Sequence, residues 1–471
     1  MINGRVYRWS LIWLTLWSMP SQSLWASTPL DSLTLEKSTK ESCVNNYNGQ
    51  FLIAPYAAKT IDDLQGGTIE EVVEDGFSAL GLSYTVGETY EQEYQRWRYT
   101  STCLIIRLWP VRTQTDATSP LYFGEPGSLI RRGALNQYCA DETNGECLEE
   151  ISSADDVIIE SWKNQLIAAI EHVEASIKLN SRVSAWYLGP EELSPNLTSE
   201  SNLLAALAQT VKETDSQQRP IIFYNPGHLT WEQIAENGVH TDYLSMGAYP
   251  HLSGNDLQRV QVRHAMHQLQ LARESLFLAD SSQVKRLLPV LEMFESTDHP
   301  YSDWDAKAIP LYVRHDAYTA IANGAEGILI FSMGFRPGFD HYAAYYDAWK
   351  QVASHLNQQG FADVINQGTV LTTPQIQILE GPTTILFSNT FYFPISRRAW
   401  QHENHIYILL VNNHLRPVKI KLKNLEPSVY ENIFTHSLHD GRGKTLELDL
   451  RGYETTLLVS TLGSPTINAR K

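Results

Sequence analysis

The chain has 471 residues and a net charge of −17 at pH 7, and 43% of its residues are hydrophobic. This length and composition are typical of a folded globular protein with two domains. The acidic balance argues against nucleic acid or an anionic membrane as a partner, whereas neutral oligo- or polysaccharides are compatible with it.

The N-terminal segment, residues 1–26, has the three-part plan of a secretory signal peptide. Arg5 and Arg8 come first, an apolar stretch covers residues 11–19, and small residues follow up to Ala26. That stretch is shorter than the ~20 residues that cross a bilayer. We expect export to the periplasm or the extracellular space, with no transmembrane segment in the mature chain. An uncleaved N-terminal anchor is the alternative.

Four cysteines follow this segment: Cys43, Cys103, Cys139 and Cys147. An even number in an oxidising compartment favours two disulfides. Cys139 and Cys147 flank a polar loop that a local bridge would close, which leaves Cys43 for Cys103, although four cysteines allow three pairings. Zinc is the alternative, but the cysteine spacing does not favour it, and no His or acidic cluster has metal-ligand spacing. We expect no metal and no cofactor.

From residue 51 to residue 333, short apolar runs alternate with amphipathic segments, the pattern of repeated βα units. Strands are predicted at residues 51–56, 81–86, 103–110, 183–188, 220–224, 243–249, 288–294 and 327–333. Helices are predicted at residues 154–179, 203–214, 256–276 and 309–323. This order predicts an α/β fold, a (β/α)8 TIM barrel over residues 45–360. An open doubly wound sheet is the alternative, but no Gly-rich phosphate turn follows the first strand.

After a helix near residues 341–357, the pattern changes to short alternating runs. Strands are predicted at residues 376–378, 384–388, 406–411, 418–422, 445–450 and 454–459. Turn residues such as Asn412-Asn413 separate them. This pattern predicts a small all-β sandwich domain over residues 368–465.

Two glutamates lie where apolar strands end. Glu191 follows the fourth predicted strand, and Glu292 closes the seventh. Burial of a charge costs several kcal/mol unless the charge is paired or used, so both are candidates for chemistry. The C-terminal strand ends of a barrel meet at one open mouth. A pair of carboxyl groups there is what glycosidic bond hydrolysis needs.

These motifs resemble the clan A type of (β/α)8 glycoside hydrolases, through residues 186–191, 242–250, 289–292 and 324–332. The resemblance covers roughly residues 51–333. It implies a retaining mechanism with Glu191 as acid/base and Glu292 as nucleophile. The family usually has Asn directly before the acid/base, and this chain has Pro190, which indicates a divergent branch or a different acid. Glu192 is the alternative to Glu191, since consecutive side chains of an extended segment face opposite ways.

Other strand-end side chains are candidates for sugar binding, because sugar faces stack on aromatic rings and polar groups orient hydroxyls. These candidates are Arg107, Trp109, Trp186, Tyr187, Tyr224, Asn225, Tyr249, Phe294 and Trp304. Each aromatic residue is alternatively part of the core. Arg107 either holds a carboxylate in place or forms a structural pair. By the resemblance, Tyr249 at the end of the sixth strand steers the nucleophile.

The sequence therefore predicts an exported glycoside hydrolase with an accessory β-sandwich domain. The alternative is a non-catalytic polysaccharide-binding or assembly protein on the same barrel, which Pro190 favours. A structural envelope protein is a third hypothesis. The sugar, the linkage and the oligomeric state do not follow from the sequence.

Overall fold

The structure is a computed structural model. It describes residues 43, 47–56, 72, 74–82, 102–108, 146–189, 191, 193, 195–196, 198–225, 227, 229–250, 258–293, 306–331, 333, 339–387 and 390–461. The predicted signal peptide lies outside these residues, and the predicted domain boundaries stay predictions. Across the described part of the chain, we find no helix with the length and apolarity needed to cross a membrane.

Parallel strands form one curled sheet in the first part of the described chain. They are β1 (Leu52–Pro55), β2 (Ala79–Leu82), β3 (Cys103–Leu108), β4 (Val183–Leu188), β5 (Ile221–Asn225), β6 (Tyr243–Ala248), β7 (Arg286–Leu287), β8 (Val290–Glu292) and β9 (Gly327–Phe331). Both β7 and β8 pair with β6, so they occupy one position in the sheet. Pro289 lies between them, and proline has no N–H to donate to the ladder.

The sheet closes on itself. The first strand pairs with the last, from Leu52 opposite Gly327 to Pro55 opposite Ile330. Next to β1 on its other side, the backbone N–H of Ser78 donates to the Ile53 carbonyl at 3.1 Å. The Ser78 hydroxyl oxygen accepts from the Ile53 N–H at 3.0 Å. An open doubly wound sheet does not join its two edges in this way, so the predicted (β/α)8 barrel is confirmed.

Helices cover the outside of the barrel. They are α1 (Glu146–Ala175), α2 (Ile177–Asn180), α3 (Thr198–Thr214), α4 (Trp231–Gly238), α5 (Gln258–Ala279), α6 (Ile309–Ala322), α7 (Tyr342–Ala353) and α8 (Phe361–Gln367). The predicted helix over residues 309–323 is α6, which ends at Ala322; Asn323 follows, and then Gly324 at a φ of +93° that suits glycine. Strand side chains alternate between two cores. On β4, Trp186 and Leu188 pack outward, whereas Ala185 and Tyr187 belong to the barrel interior.

Antiparallel strands build the second part. They are β10 (Thr369–Leu371), β11 (Gln375–Glu380), β12 (Ile385–Phe387), β13 (Thr390–Tyr392), β14 (Ile395–His402), β15 (His405–Asn412), β16 (Val418–Lys423), β17 (Val429–Asn432), β18 (Ser437–Asp440), β19 (Thr445–Leu450) and β20 (Thr455–Thr461). The sheet β10-β14-β15-β20-β17-β18 and the sheet β11-β16-β19 share a hydrophobic core, and β12-β13 is a hairpin. The predicted β-sandwich is confirmed.

The larger sheet of the sandwich also packs on the barrel helices. Trp400 of β14 and Leu409 of β15 belong to the same hydrophobic cluster as the outer barrel core. No strand was predicted at β14, because Arg397 and Arg398 interrupt its apolar pattern. The Arg398 guanidinium lies 5.5 Å from the centre of the Trp400 ring, and this cation–π contact stabilises an arginine within the strand.

One disulfide joins Cys43 to Cys103, the first residue of β3, with their Cα atoms 5.4 Å apart. This pairing is one of those that the cysteine count allowed. Both residues are buried among the inward-facing side chains of the barrel. Cys139 and the side chain of Cys147 lie outside the described residues.

Candidate active site at the C-terminal end of the barrel

The inward-facing positions at the C-terminal strand ends converge. Side chains two residues apart on a strand face the same way, and the residue two places earlier lies in the barrel interior. Examples are Ile105 before Arg107 on β3 and Val290 before Glu292 on β8. The converging residues, which we call the strand-end cluster, are Tyr56, Arg107, Tyr187, Glu191, Tyr224, Tyr249, Glu292 and Phe331. Six of these eight residues were predicted as site residues; Tyr56 and Phe331 were not.

Glu191 is held by two phenols. Its Oε1 atom accepts a hydrogen bond from the Tyr187 hydroxyl at 2.9 Å and a short one from the Tyr56 hydroxyl. The two phenol oxygens are themselves 2.6 Å apart. Tyr56 and Tyr187 are buried, and Glu191 is half-buried. The carboxyl group of Glu191 is therefore positioned by side chains from two different strands.

Arg107 lies beneath these phenols and is 7% exposed. Its Nη2 atom donates a short hydrogen bond to the Tyr56 carbonyl oxygen, and its guanidinium lies 4.7 Å from the Tyr56 ring centre and 5.4 Å from that of Tyr187. Burial lowers the pKa of Arg107, and the nearby Tyr187 and Tyr249 partly offset that effect. Arg107 thus fixes the two tyrosines that contact Glu191.

A second pair of phenols lies on the neighbouring strands. The Tyr224 hydroxyl donates to the Tyr249 hydroxyl oxygen at 3.3 Å. Burial raises the pKa of Tyr249 well above its usual value, and Tyr224 and the negative charge of Glu191 add to the effect. Gly247 makes room for this pair, because a Cβ atom there would meet the Tyr224 hydroxyl and come within 2.8 Å of the Tyr249 ring. Tyr249 therefore lies within electrostatic reach of Glu191.

Glu292 is the last residue of β8 and is 4% exposed. Its backbone pairs with Phe331 of β9. The Phe331 ring lies 5.6 Å from the Tyr56 ring, and Tyr56 in turn contacts Glu191. The two glutamates thus lie at the same end of the barrel, on its fourth and seventh strand positions, and the backbone neighbour of Glu292 packs on a tyrosine that contacts Glu191.

The structure does not bring Trp186 or Asn225 to this cluster. Trp186 is fully buried on the outer face of β4, where its indole N–H donates to Asp215 at 2.9 Å. Asn225 is 1% exposed and bridges the backbone of Ser245 and the side chain of Asn237. Both belong to the outer core because their positions alternate with the inward-facing ones. We therefore leave both out of the site.

The remaining predicted residues lie outside the described part of the chain. They are Trp109, Phe294, Trp304 and the alternative acid Glu192; Pro190, which precedes Glu191, also lies outside it. Within the described residues, no group of three or more His, Cys, Asp or Glu side chains is placed to hold a metal ion. The position of Tyr56 directly after the first strand was the signal by which sequence reasoning could have found it.

The chain matches no protein-family model and no curated protein sequence. Its structure is similar to an α-amylase from Geobacillus thermoleovorans complexed with acarbose, with a TM-score of 0.48, 11% identity, and coverage of 88% of this chain and 98% of that one. An α-amylase from Anoxybacillus has a TM-score of 0.48, 9% identity, and coverage of 89% and 99%. A glycoside hydrolase family 30 xylanase from Clostridium acetobutylicum has a TM-score of 0.41, 10% identity, and coverage of 88% and 96%. Similarities this distant do not identify the reaction.

Proposed function

We propose that the chain is an exported glycoside hydrolase that cleaves an oligo- or polysaccharide by a retaining mechanism. The observation that carries this proposal is the pair of glutamates at one end of a closed barrel, with aromatic side chains packed around Glu191 and on the strand next to Glu292. Retaining enzymes use one carboxyl group as acid and base and a second as nucleophile, on either side of the scissile bond. Tyrosine faces next to the carboxyl groups supply stacking surfaces for a sugar ring.

The hydrogen bonds of Glu191 support its role as the acid/base. Its Oε1 and the two phenol oxygens of Tyr56 and Tyr187 are in mutual contact. The phenols bring one hydrogen each, so two of the three contacts can be hydrogen bonds when Glu191 is ionised. The third contact gains its hydrogen bond when Glu191 is protonated, which is the state from which a general acid donates.

Glu292 is the proposed nucleophile. It ends an apolar strand and is buried, so it projects into the barrel mouth from a rigid element. A fixed carboxylate needs little reorganisation to attack an anomeric carbon, and fixed geometry is a large part of catalysis. Tyr249 belongs to the same strand-end cluster, and the charge of Glu191 contributes to its raised pKa. In this proposal, the Tyr249 hydroxyl orients the reacting groups.

The test is covalent trapping. A panel of aryl glycosides first shows which sugar the native chain releases. The 2-fluoro derivative of that glycoside should then leave a glycosyl group on Glu292, and peptide mass spectrometry locates the labelled residue. Glu292→Gln should abolish turnover, and Glu191→Gln should lower it about 10²–10⁴-fold. Glu447→Gln on the surface of the β domain is the matched control and should be fully active. Label on another residue, or activity in Glu292→Gln, would refute the assignment.

Pro190 favours one alternative, a non-catalytic polysaccharide-binding or assembly protein, because the amide side chain usual before the acid/base is missing. Binding to a glycan panel without turnover by folded protein would support that alternative. Export is part of the proposal and rests on the pattern of residues 1–26. A mature N-terminus near residue 27, found by N-terminal sequencing of secreted protein, would support it.

A further inference from the structure

The backbone on either side of Glu191 is held at two points. Two residues before it, the Gly189 N–H donates to the Leu108 carbonyl oxygen of β3 at 3.1 Å. Two residues after it, the Leu193 carbonyl oxygen accepts from the Asn237 side chain at 3.1 Å. The first of these bonds continues the strand ladder. The second comes from α4, a helix on the outside of the barrel.

Asn237 lies in the last turn of α4 and is 2% exposed. Asparagine is unfavourable within a helix, and a buried amide costs free energy unless it is hydrogen-bonded. The Nδ2 atom of Asn237 has two hydrogens and two acceptors, the Leu193 carbonyl oxygen and the Oδ1 atom of Asn225 at 2.9 Å. The amide is therefore fixed in direction as well as in place.

Asn225 extends this connection to the sheet. It is the last residue of β5 and is 1% exposed, and its Nδ2 atom donates to the Ser245 carbonyl oxygen of β6 at 3.0 Å. The two strands also pair directly, with Asn225 opposite Met246. The Leu193 carbonyl oxygen is thus connected through two buried amides to the parallel sheet of the barrel.

Stability alone does not call for these two amides. Exchange of both partners of a buried hydrogen bond for apolar groups of the same shape is often nearly neutral. Leu193 and Ile234 show that apolar side chains fill the same part of the outer core. A satisfied buried network of polar groups adds rigidity, because its hydrogen bonds are directional. The pair of amides therefore holds the backbone after β4 in one position.

We propose that Asn237 and Asn225 are positioning residues for the acid/base, which hold the segment after β4 so that the Glu191 carboxyl group stays against its two phenols. The Leu193 carbonyl lies two residues from Glu191, so a shift of that carbonyl also moves the Glu191 backbone. A displacement of about 1 Å at a catalytic group can cost about 100-fold in rate. Both asparagines act through the backbone, and their role rests on the proposed function.

The dependence of the rate on the leaving group separates positioning from a general loss of structure. A phenyl glycoside needs a general acid to protonate its leaving oxygen, whereas a dinitrophenyl glycoside releases a stable phenolate without that proton. Both carry the sugar that the aryl glycoside panel identifies. Asn237→Ala should lower kcat/KM about 10–100-fold for the phenyl glycoside and less than about 3-fold for the dinitrophenyl glycoside. Asn225→Ala should give the same pattern with a smaller effect, because Asn237 keeps its bond to Leu193.

Asn412→Ala is the matched control for these variants. Asn412 is a fully buried amide of the β domain, and its Nδ2 atom donates to the Arg416 and Arg451 carbonyl oxygens at 3.0 and 2.8 Å. Its loss should cost stability for the same physical reason as the loss of Asn237. It should leave kcat/KM unchanged for both glycosides, because it does not hold the segment of Glu191.

A second measurement does not need turnover. Carbodiimide and glycine ethyl ester convert accessible carboxyl groups to amides, and peptide mass spectrometry gives the rate of this reaction at Glu191. Asn237→Ala should raise that rate at least about threefold, because a segment that has lost its anchor opens more often. The exposed Glu447 is the internal standard. Asn412→Ala should leave the rate at Glu191 unchanged.

The two measurements keep this role and the proposed function apart. A native chain that cleaves no glycoside refutes the proposed function, and the labelling rate then decides whether the asparagines hold Glu191. Equal loss of kcat/KM for both glycosides, or a native labelling rate in Asn237→Ala, would overturn the positioning role. If Asn237→Ala does not fold, as its unfolding midpoint would reveal, Asn225→Ala carries both measurements.

Discussion

Asp215 contacts three groups on the outer face of β4. Its replacement by alanine tests how much these buried contacts contribute to the stability of the fold. It is 1% exposed, and its carboxylate forms an ion pair with Arg219 that is also buried. It accepts hydrogen bonds from the Trp186 indole at 2.9 Å and from the Arg219 backbone N–H at 2.7 Å. Asp215→Ala removes all of these contacts at once.

The size of the effect follows from what stays behind. The Arg219 side chain is 0% exposed, and burial already lowers its pKa while Asp215 offsets that effect. Without Asp215, the guanidinium is a buried charge with its main counter-charge removed, and the Trp186 N–H loses its acceptor. Removal of one partner of a buried pair costs about 3–5 kcal/mol. Domains are commonly stable by only about 5–15 kcal/mol, so we expect a large fraction of the stability to be lost.

Urea unfolding, followed by tryptophan fluorescence, measures the change, because Trp186 itself reports on the site. The matched control is Glu160→Ala, which breaks an exposed pair with Lys163 and should cost less than about 1 kcal/mol. A loss below about 1 kcal/mol for Asp215→Ala, with an unchanged urea dependence, would refute the reasoning. It would mean that water or a rearranged side chain compensates Arg219.

Three further predictions concern the disulfide, a buried histidine and the candidate site. The Cys43→Ser, Cys103→Ser double variant should lose about 2–4 kcal/mol of unfolding free energy, because the bond closes a loop with a sequence separation of 60; an unchanged urea midpoint would contradict this. Burial, with Arg314 nearby, lowers the pKa of His355 to about 4. Between pH 6.5 and about 4, the unfolded chain therefore binds a proton that the folded chain does not, so stability should fall by about 3 kcal/mol as the pH drops through that window. His355→Asn should flatten this part of the profile of stability against pH, and an equally steep profile in the variant would contradict the prediction. Tyr56→Phe should lower kcat about 10-fold or more on any cleaved glycoside, because Glu191 loses one of the donors that position it. Tyr430→Phe, at a phenol bound to a backbone carbonyl of the β domain, should not change kcat.

Local pattern was enough for much of the fold. Apolar runs and their spacing located the barrel strands, and the predicted residues 183–188 coincide with β4. The Asn323-Gly324 stop of α6 and the change to alternating runs after α8 were also visible in the sequence. These features depend on neighbours within a few residues, which is why a single chain reveals them.

The sequence revealed less about which strand residues face the barrel interior and which face outward. Trp186 and Tyr187 are consecutive and both aromatic, and only Tyr187 faces the interior. A strand of a parallel sheet is covered on both faces, so its sequence lacks the alternation that separates the two sides. Glu292 is different, because its carboxylate ends a run that otherwise contains only apolar residues.

By itself, then, the sequence determined the order of the elements, the closed α/β architecture followed by a β-sandwich, and the two glutamates at strand ends. The tertiary structure alone decided that Tyr56 contacts Glu191, a residue 135 positions away, and that Arg263 of a barrel helix donates to the Phe393 carbonyl of the β domain, 130 positions away. The physical reason is the range of the interactions. Periodicity is set by residues a few positions apart, whereas a site is assembled when the closed sheet and the domain junction bring distant side chains within hydrogen-bond distance.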